Sequence, residues 1–134
     1  MAQAVILRLN ELVGKGYKEF WNFKGRYRVL KGGRGSKKSC TTALWYIYNI
    51  MKYPLANAVV VRRYFNTHRD STFAQLKWAI KQLGVGSSWK ATMSPLELTY
   101  LPTGQKILFR GFDDPQSVTS ITVELGHLCW VWIS

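Results

Sequence analysis

The sequence predicts an α/β fold, in which a mainly parallel β-sheet is flanked by helices and carries an inserted β-hairpin. Two mainly apolar runs without polar alternation, residues 58–63 and 128–133, are typical of strands buried on both faces of a parallel sheet. Segments with helical periodicity precede and follow the first run. A Pro102-Thr103-Gly104 turn between two further apolar stretches indicates the hairpin. This order of elements is that of an α/β sheet with an antiparallel insertion.

The first predicted elements are a short strand over residues 27–30 and a helix over residues 38–51. Apolar side chains recur at helical spacing in the second segment, and Pro54 marks its end. These side chains belong to Ala43, Leu44, Ile47, Tyr48 and Met51. Further upstream, an aromatic cluster either packs in the core or stacks on a nucleic-acid base, and both interpretations remain open. Its members are Tyr17, Phe20, Trp21 and Phe23.

A second helix is predicted after the first buried strand. Asp70 or Ser71 caps its start, four apolar residues lie on one face, and Gly84 closes it. The apolar residues are Phe73, Leu76, Ile80 and Leu83. The hairpin is predicted from residues 96–101 and 106–110.

A glycine-rich loop between the strand at residues 27–30 and the first helix has the pattern of a phosphate-binding site. Glycines let successive backbone N–H groups point at phosphate oxygens, and the helix that follows adds its positive N-terminal end. Lys38 then reaches the β- and γ-phosphates, and the Ser39 hydroxyl can ligate Mg²⁺. The loop therefore predicts ATP and Mg²⁺ as cofactors, with Ser39 as the metal ligand. The predicted binding set is Gly32, Gly33, Arg34, Gly35, Ser36, Lys37, Lys38 and Ser39.

The loop departs at one position from the pattern G-x-x-x-x-G-K-[ST]. Gly32 is the first glycine, but Lys37 stands where the second is expected, so that residue has to keep a right-handed backbone at the helix start. The alternative is a glycine-rich turn with surface lysines. The order of strand, loop and helix favours the phosphate-binding interpretation.

Length and composition indicate one folded domain with an anionic partner or a solvated basic surface. The chain has 134 residues, of which 47% are hydrophobic and 14% aromatic, which excludes a disordered tail. Lys and Arg number 19 against 7 Asp and Glu, so the net charge is +12. This charge fits a polyanion such as nucleic acid, or a basic protein with solvated lysines. Charge alone leaves both interpretations open.

The cysteines and histidines do not form a predicted metal site. Cys40 and Cys129 lie in apolar settings, so we expect buried thiols in a reducing compartment. His68 and His127 have no partner that would make either a base or a ligand, and we expect structural roles. No apolar run is long enough for a signal peptide or a membrane span. The sequence therefore predicts an intracellular protein without a membrane partner.

Charged residues at two predicted breaks in the chain leave alternatives open. Arg62 and Arg63 end a buried strand, where ligands of open α/β sheets gather, so they either contact DNA or nucleotide or form a solvated strand end. Asp113 and Asp114 either couple the nucleotide state to motion or cap the turn before Pro115.

A nucleotide-hydrolysing site also needs an acidic residue at the end of a second buried strand, where it holds Mg²⁺. The strand at residues 128–133 is the candidate to carry it, but Ser134 is the last residue of the sequence. The other acidic residues considered follow no strand of that kind; they are Glu97, Asp113, Asp114 and Glu124. We therefore expect an incomplete hydrolytic site and no turnover.

Four segments together resemble the ATPase part of the large terminase subunit of tailed bacteriophages and prophages, most closely the branch found in defective prophages of the PBSX type. They occur in the family's order and are residues 31–39, residues 60–63 with the following 67–76, residues 109–115 and residues 130–133. The Arg-Gly-Phe-Asp-Asp segment at residues 110–114 makes the combination specific.

The resemblance implies a P-loop NTPase fold of the RecA/ASCE type and a motor that uses ATP to drive double-stranded DNA into an empty capsid. Such subunits assemble as a homo-oligomeric ring on the portal protein, work with a terminase small subunit and carry a C-terminal nuclease. By this resemblance Lys38 and Ser39 bind phosphate and Mg²⁺, and Arg34 contacts the γ-phosphate or senses its loss. The loop is shaped by Gly32, Gly33 and Gly35.

Two departures from the family pattern limit what the resemblance implies. The acidic pair after the last strand and the nuclease domain are both absent, so we expect residues 1–134 to be a truncated, partial ATPase domain in the cytoplasm of a bacterial host. Two alternatives remain. One is a basic module whose loop only grips nucleic-acid phosphates, and the other is an inactive prophage remnant.

Overall fold

The computed structural model of the chain describes residues 21–22 and 38–134. The strand predicted at residues 27–30 and the loop at residues 31–37 lie outside the described residues. Of the predicted phosphate-binding set, Lys38 and Ser39 lie within them. In the upstream aromatic cluster, Trp21 is described, and it packs against the main core with its ring 6.0 Å from that of Tyr48.

Residues 38–134 form three helices and five strands, together with two short 3₁₀ turns. The helices are α1 (Lys38–Lys52), α2 (Thr72–Gln82) and α3 (Pro115–Thr119). The strands are β1 (Ala56–Arg62), β2 (Trp89–Met93), β3 (Leu96–Tyr100), β4 (Gln105–Gly111) and β5 (His127–Ile133). The 3₁₀ turns are Phe65–Thr67 and Gly86–Ser88.

The strands form one mixed sheet in the order β2-β3-β4-β1-β5. β1 lies between β4 and β5 and is parallel to both, whereas β2 pairs with β3 and β3 with β4 in antiparallel fashion. The α/β class and the β3–β4 hairpin are therefore confirmed, and the sheet is mixed. Sequence analysis missed β2, although its residues stand directly before the Ser94-Pro95 turn and pair with β3 over its whole length.

The main core lies between one face of the sheet and the helices α1 and α2. Ala58 and Val60 of β1 face this core, while Val59 and Val61 lie in a smaller cluster on the opposite face. The second face is covered by the segment that contains α3, through Val118, Ile121 and Val123. Burial of β1 on both faces, which its apolar run predicts, is confirmed.

The second helix agrees with its sequence signals on its apolar face and at its C-terminal end. All four residues predicted on its apolar face, Phe73, Leu76, Ile80 and Leu83, are buried. Gly84 follows with a φ of +70°, the left-handed conformation that commonly ends a helix. Ser71 is the N-cap residue, but its hydroxyl donates to the Thr67 carbonyl oxygen (2.6 Å) and makes no capping bond.

Strand β5 differs from its prediction, because its side chains are not buried on both faces. Trp130 and Trp132 pack against the main core, where Trp132 stacks on Tyr46 at 5.7 Å. Val131 and Ile133 are 55% and 68% exposed. β5 is an edge strand of the described sheet, paired only with β1, and no described segment covers its second face. An apolar run indicates that a strand is suited to burial, but not which neighbours supply it.

Gln105 connects the end of α1 to the starts of two strands. Its side chain is 1% exposed, and its Nε2 lies 2.8, 2.7 and 2.6 Å from the carbonyl oxygens of Ile50, Tyr53 and Ala56. The last carbonyls of a helix have no partner within the helix, so a buried helix end needs donors from elsewhere. Gln105 supplies such a donor and holds the end of α1 next to the start of β1.

We expect Gln105→Leu to lower the free energy of unfolding by about 2 kcal/mol, because buried carbonyl groups lose their donor while the side-chain volume is kept. Chemical denaturation measures this change. Gln116→Leu is the matched control, because Gln116 is exposed. Equal stability of the two variants would show that the Gln105 hydrogen bonds do not hold the helix end.

Candidate functional site at the carboxyl edge of the parallel strands

The carboxyl ends of β1, β4 and β5 lie at one edge of the sheet because the three strands are parallel. The last turn of α1 adjoins the start of β1, at the opposite edge of the sheet. The first turn of α1 therefore lies at the carboxyl edge. A contact confirms the position: the Cys40 thiol lies 3.3 Å from Oε1 of Gln75, in the first turn of α2. Ligands of open α/β sheets bind at such an edge. Two helix starts and the ends of three strands therefore meet there.

Lys38 and Ser39 open α1 at this edge. The Ser39 side chain is exposed and that of Lys38 is partly exposed, and the first turn of α1 contains no acidic residue. The Thr42 hydroxyl donates to the Lys38 carbonyl oxygen at 2.8 Å. N–H groups at a helix start, a lysine and an exposed hydroxyl make a donor set that suits phosphate and a hard cation. The two described residues of the predicted loop therefore fit the chemistry assigned to them.

The three arginines of the carboxyl edge have different partners in the structure. Arg62 is half-buried and its guanidinium donates to the Ser71 hydroxyl, so it holds the loop that leads into α2. Arg110 donates to the carbonyl oxygens of Ser117 (3.2 Å) and Phe109 (2.8 Å). Arg63 is exposed, with its guanidinium 5.3 Å from the centre of the Tyr64 ring. Of the pair considered from the sequence, Arg63 remains available to an anionic ligand.

Asp113 has a structural role at this edge. Its backbone N–H donates to the Arg63 carbonyl oxygen (3.1 Å), and its carboxylate accepts from the backbone N–H of Phe65 (3.2 Å). The loops that follow β1 and β4 are joined in this way. Asp114 is the N-cap residue of α3 and makes no side-chain capping bond. Neither carboxylate makes the cap considered before Pro115, since that of Asp113 binds the neighbouring loop and that of Asp114 makes no capping bond. A role of the pair in coupling stays a prediction.

Gly111 makes this joint possible. A Cβ atom at this position would lie 2.2 Å from the Asp113 carboxylate and 2.5 Å from the Phe65 backbone nitrogen. A side chain of any size would push the two loops apart. The family resemblance includes Gly111 in one of its matching segments. Its packing role can be seen only in the folded structure, because Phe65 is distant in sequence.

We expect Gly111→Ala to destabilise the fold by about 1–3 kcal/mol through this clash. Thermal or chemical denaturation measures the loss. Gly86→Ala provides the matched control, since a Cβ there meets nothing within 4 Å. If the two variants were equally stable, the close approach of the loops would not constrain position 111.

His68 lies beneath the same loops and is fully buried. Its Nε2 donates to the Arg110 carbonyl oxygen (2.6 Å) and its Nδ1 accepts from the Thr72 hydroxyl (2.6 Å). This arrangement uses the neutral ring. Burial lowers the pKa of His68 below its ordinary value of 6.5, and the Arg62 charge lowers it further, against the Arg110 hydrogen bond and the Asp113 charge. The expected structural role is confirmed.

The lowered pKa of His68 makes stability depend on pH. The unfolded chain binds a proton at His68 more readily than the folded chain, so this contribution is complete above about pH 6.5 and is lost as pH falls towards the lower folded-state pKa. We expect the free energy of unfolding to fall by up to about 1.4 kcal/mol per pH unit in that window. Denaturation of the unmodified chain between pH 8 and pH 5.5 measures it.

Two variants identify the residue responsible. His68→Asn should remove most of this dependence, whereas His127→Asn, at an exposed position, should retain it. A pH dependence that persists in His68→Asn would assign it to another group.

No described group of three or more His, Cys, Asp or Glu residues is placed to hold a metal ion. Neither cysteine forms a disulfide. Cys40 is half-buried as part of α1 and Cys129 is exposed on β5, so the expectation of buried thiols is wrong for Cys129 and met only in part by Cys40. The cause at Cys129 is again the open face of the edge strand. Among the described residues, no helix has the length and apolar character needed to cross a bilayer.

The chain is similar to known terminase subunits over most of its length. The family described as phage terminase large subunit matches residues 24–134. A terminase large subunit of Bacillus phage SPP1 is 49% identical over 105 residues, which cover 78% of this chain and 25% of that protein. The PBSX phage terminase large subunit of Bacillus subtilis (strain 168) is 36% identical over 113 residues, 84% of this chain and 25% of that protein. The chain thus spans about a quarter of the length of these relatives.

Proposed function

Because the chain belongs to the family of phage terminase large subunits, we propose that it forms the ATP-binding part of a motor that packages double-stranded DNA into a capsid. The observation that carries the proposal is the position of Lys38 and Ser39. Both open a helix at the carboxyl edge of the parallel strands, directly after the glycine-rich loop. This placement is what a phosphate-binding loop requires.

In the proposed site, Lys38 holds the β- and γ-phosphates and Ser39 contributes a ligand to Mg²⁺. Backbone N–H groups of residues 32–37 would complete the phosphate contacts, and Arg34 would sense the γ-phosphate. When bound, ATP would supply the β–γ phosphoanhydride bond, whose hydrolysis by water drives the motor. The parallel pairing of β1 with β5 and the helix before β1 support a P-loop NTPase fold of the RecA/ASCE type.

The carboxyl end of β5 is suited to present an acidic partner for this site. The Ser134 backbone N–H donates to the Val61 carbonyl oxygen (3.0 Å), so β5 runs beside β1 to the carboxyl edge. A residue that follows such a strand reaches the same edge as Ser39. We propose ATP hydrolysis for the whole protein and not for this chain alone. The same holds for the ring on the portal protein and for the contacts with DNA and the small subunit. In the relatives, this chain corresponds to about a quarter of the protein.

Calorimetric titration of Mg·ATP into the 134-residue chain tests the site. We expect binding that weakens at least about tenfold in Lys38→Ala, because a charge-assisted phosphate contact is lost. Lys52→Ala is the matched control, since it removes the same charge from the other end of α1, where Lys52 is exposed. Equal affinities of the three proteins would contradict the assignment of Lys38, as would the absence of binding in all of them.

The net charge of +12 supports a second candidate, a basic module that only grips nucleic-acid phosphates. Such a module would bind duplex DNA in a salt-sensitive way, and Mg·ATP would not change that affinity. The same titrations, repeated with DNA present, therefore distinguish the two functions.

A further inference from the structure

A groove separate from the carboxyl-edge site lies between the second half of α2 and the β2–β3 hairpin. Its volume is about 580 Å³, within the range of pockets that hold small ligands or anchoring side chains. The walls are mainly aromatic and aliphatic, and two lysines line it. The lining residues that matter here are Lys77, Trp78, Lys81, Gly86, Trp89 and Leu98.

The charge of the groove has one sign. Lys77 and Lys81 are one helical turn apart on α2, and no carboxylate from residues 38–134 lines the groove. Glu97, the acidic residue of β3, alternates with Leu98 and so lies on the other face of the sheet, where its carboxylate pairs with the Lys106 ammonium at 2.9 Å. That pair raises the pKa of Lys106. The Lys77 ammonium lies 5.5 Å from the centre of the Phe73 ring, and the described lining of the groove contains two lysines and no acid that would compete for them.

The wall also holds a polar group without a partner. Trp89 is 7% exposed, and its indole Nε1 is buried with no hydrogen-bond acceptor in the described part of the chain. Its ring lies 5.2 Å from that of Tyr100, which supports it from the core side. Because that nitrogen is itself buried, its missing bond is a cost to the fold and not a donor offered to a ligand, so Trp89 contributes the apolar surface of its ring to the wall.

We propose that this groove binds an acidic peptide segment of a partner protein. An aromatic or long aliphatic side chain of the segment enters between Trp78 and Trp89, and flanking carboxylates reach Lys77 and Lys81. The apolar walls require an occupant that is apolar at its centre. The two lysines require negative charges at its ends. The inference depends on the groove alone and not on ATP binding.

A nucleic-acid duplex fits the groove less well than such a peptide. Its phosphates would meet only two cations in the lining, and a charged backbone would leave the apolar walls without a partner. An amphipathic segment buries those walls and pairs with both lysines. Aromatic anchors in apolar pockets with a charged rim are the usual centres of protein–protein binding energy.

Fluorescence anisotropy with a labelled peptide, Ser-Asp-Glu-Phe-Leu-Glu-Asp-Ser, tests the proposal on the 134-residue chain. One matched peptide has Lys in place of every acid, and another has Ser in place of Phe and Leu. We expect the acidic apolar peptide to bind and each matched peptide to bind at least about tenfold more weakly. Equal binding of the Lys peptide, or no binding of the first peptide, would overturn the proposal.

Two independent variants then locate the binding. Gly86→Leu fills the groove from a position where a Cβ meets no atom within 4 Å, and Lys77→Gln combined with Lys81→Gln removes both charges. Each should weaken the acidic peptide about tenfold. Lys52→Gln combined with Lys90→Gln changes the net charge equally at exposed sites outside the lining and should leave the affinity unchanged.

A duplex DNA titration of the same variants provides the last arm. A specific loss of DNA affinity in the Lys77/Lys81 variant, without peptide binding, would make the groove a nucleic-acid site and overturn the proposal. Melting curves show that each variant is folded. If Gly86→Leu does not fold, the variant with both Lys77→Gln and Lys81→Gln tests the location of the binding site.

Discussion

The position of β1 at the centre of the parallel strands is the constraint on which the rest of the structure depends. β1 is hydrogen-bonded to β4 on one edge and to β5 on the other, and its side chains are buried on both faces. Its direction fixes the direction of its two neighbours. It also determines where α1 and α2 begin, since one helix leads into β1 and the other follows it. The meeting of helix starts and strand ends at one edge is a consequence of that single direction.

Hydrogen bonds join the described loops of the carboxyl edge to one another. The loop after β1 is held by Arg62 and Ser71, and the loop after β4 is joined to it through Gly111 and Asp113. His68 fills the space beneath them with both ring nitrogens bonded. These groups are polar, but they are engaged with one another. Arg63, above them, is exposed. Such an arrangement lets the edge present a charged side chain at a fixed position without ordering a loop on binding.

Periodicity and turn signals correctly predict the elements whose burial follows from the spacing of apolar residues within the element itself. α1, β1, α2 and the β3–β4 hairpin have apolar residues at the spacing of their own element, and the structure confirms them. Exposure on β5 depends on which segments cover its two faces, so its apolar sequence does not determine it. The exposed thiol of Cys129 follows from the same cause.

The candidate site shows the same division between local and long-range information. Lys38 and Ser39 are recognised from a contiguous loop motif, because the chemistry is carried by neighbouring residues. The difference between Arg62 and Arg63 is not predictable from their adjacent positions, since Arg62 is engaged by Ser71 across a turn. Gly111 and His68 contribute through contacts with residues more than 40 positions away. Those contacts exist only once β1 and β4 are paired.

Helix α2 is the element shared by the carboxyl edge and the groove. Its first turn contacts α1 through Gln75 and Cys40, two positions from Lys38, while its second half lines the groove with Lys77, Trp78 and Lys81. The helix is short, and one of its faces is buried along its length. A ligand in the groove that shifted α2 would therefore act on the first turn of α1 as well. Linkage requires the effect to be equal in the opposite direction, so a ligand held at Lys38 would change the affinity of the groove by the same factor.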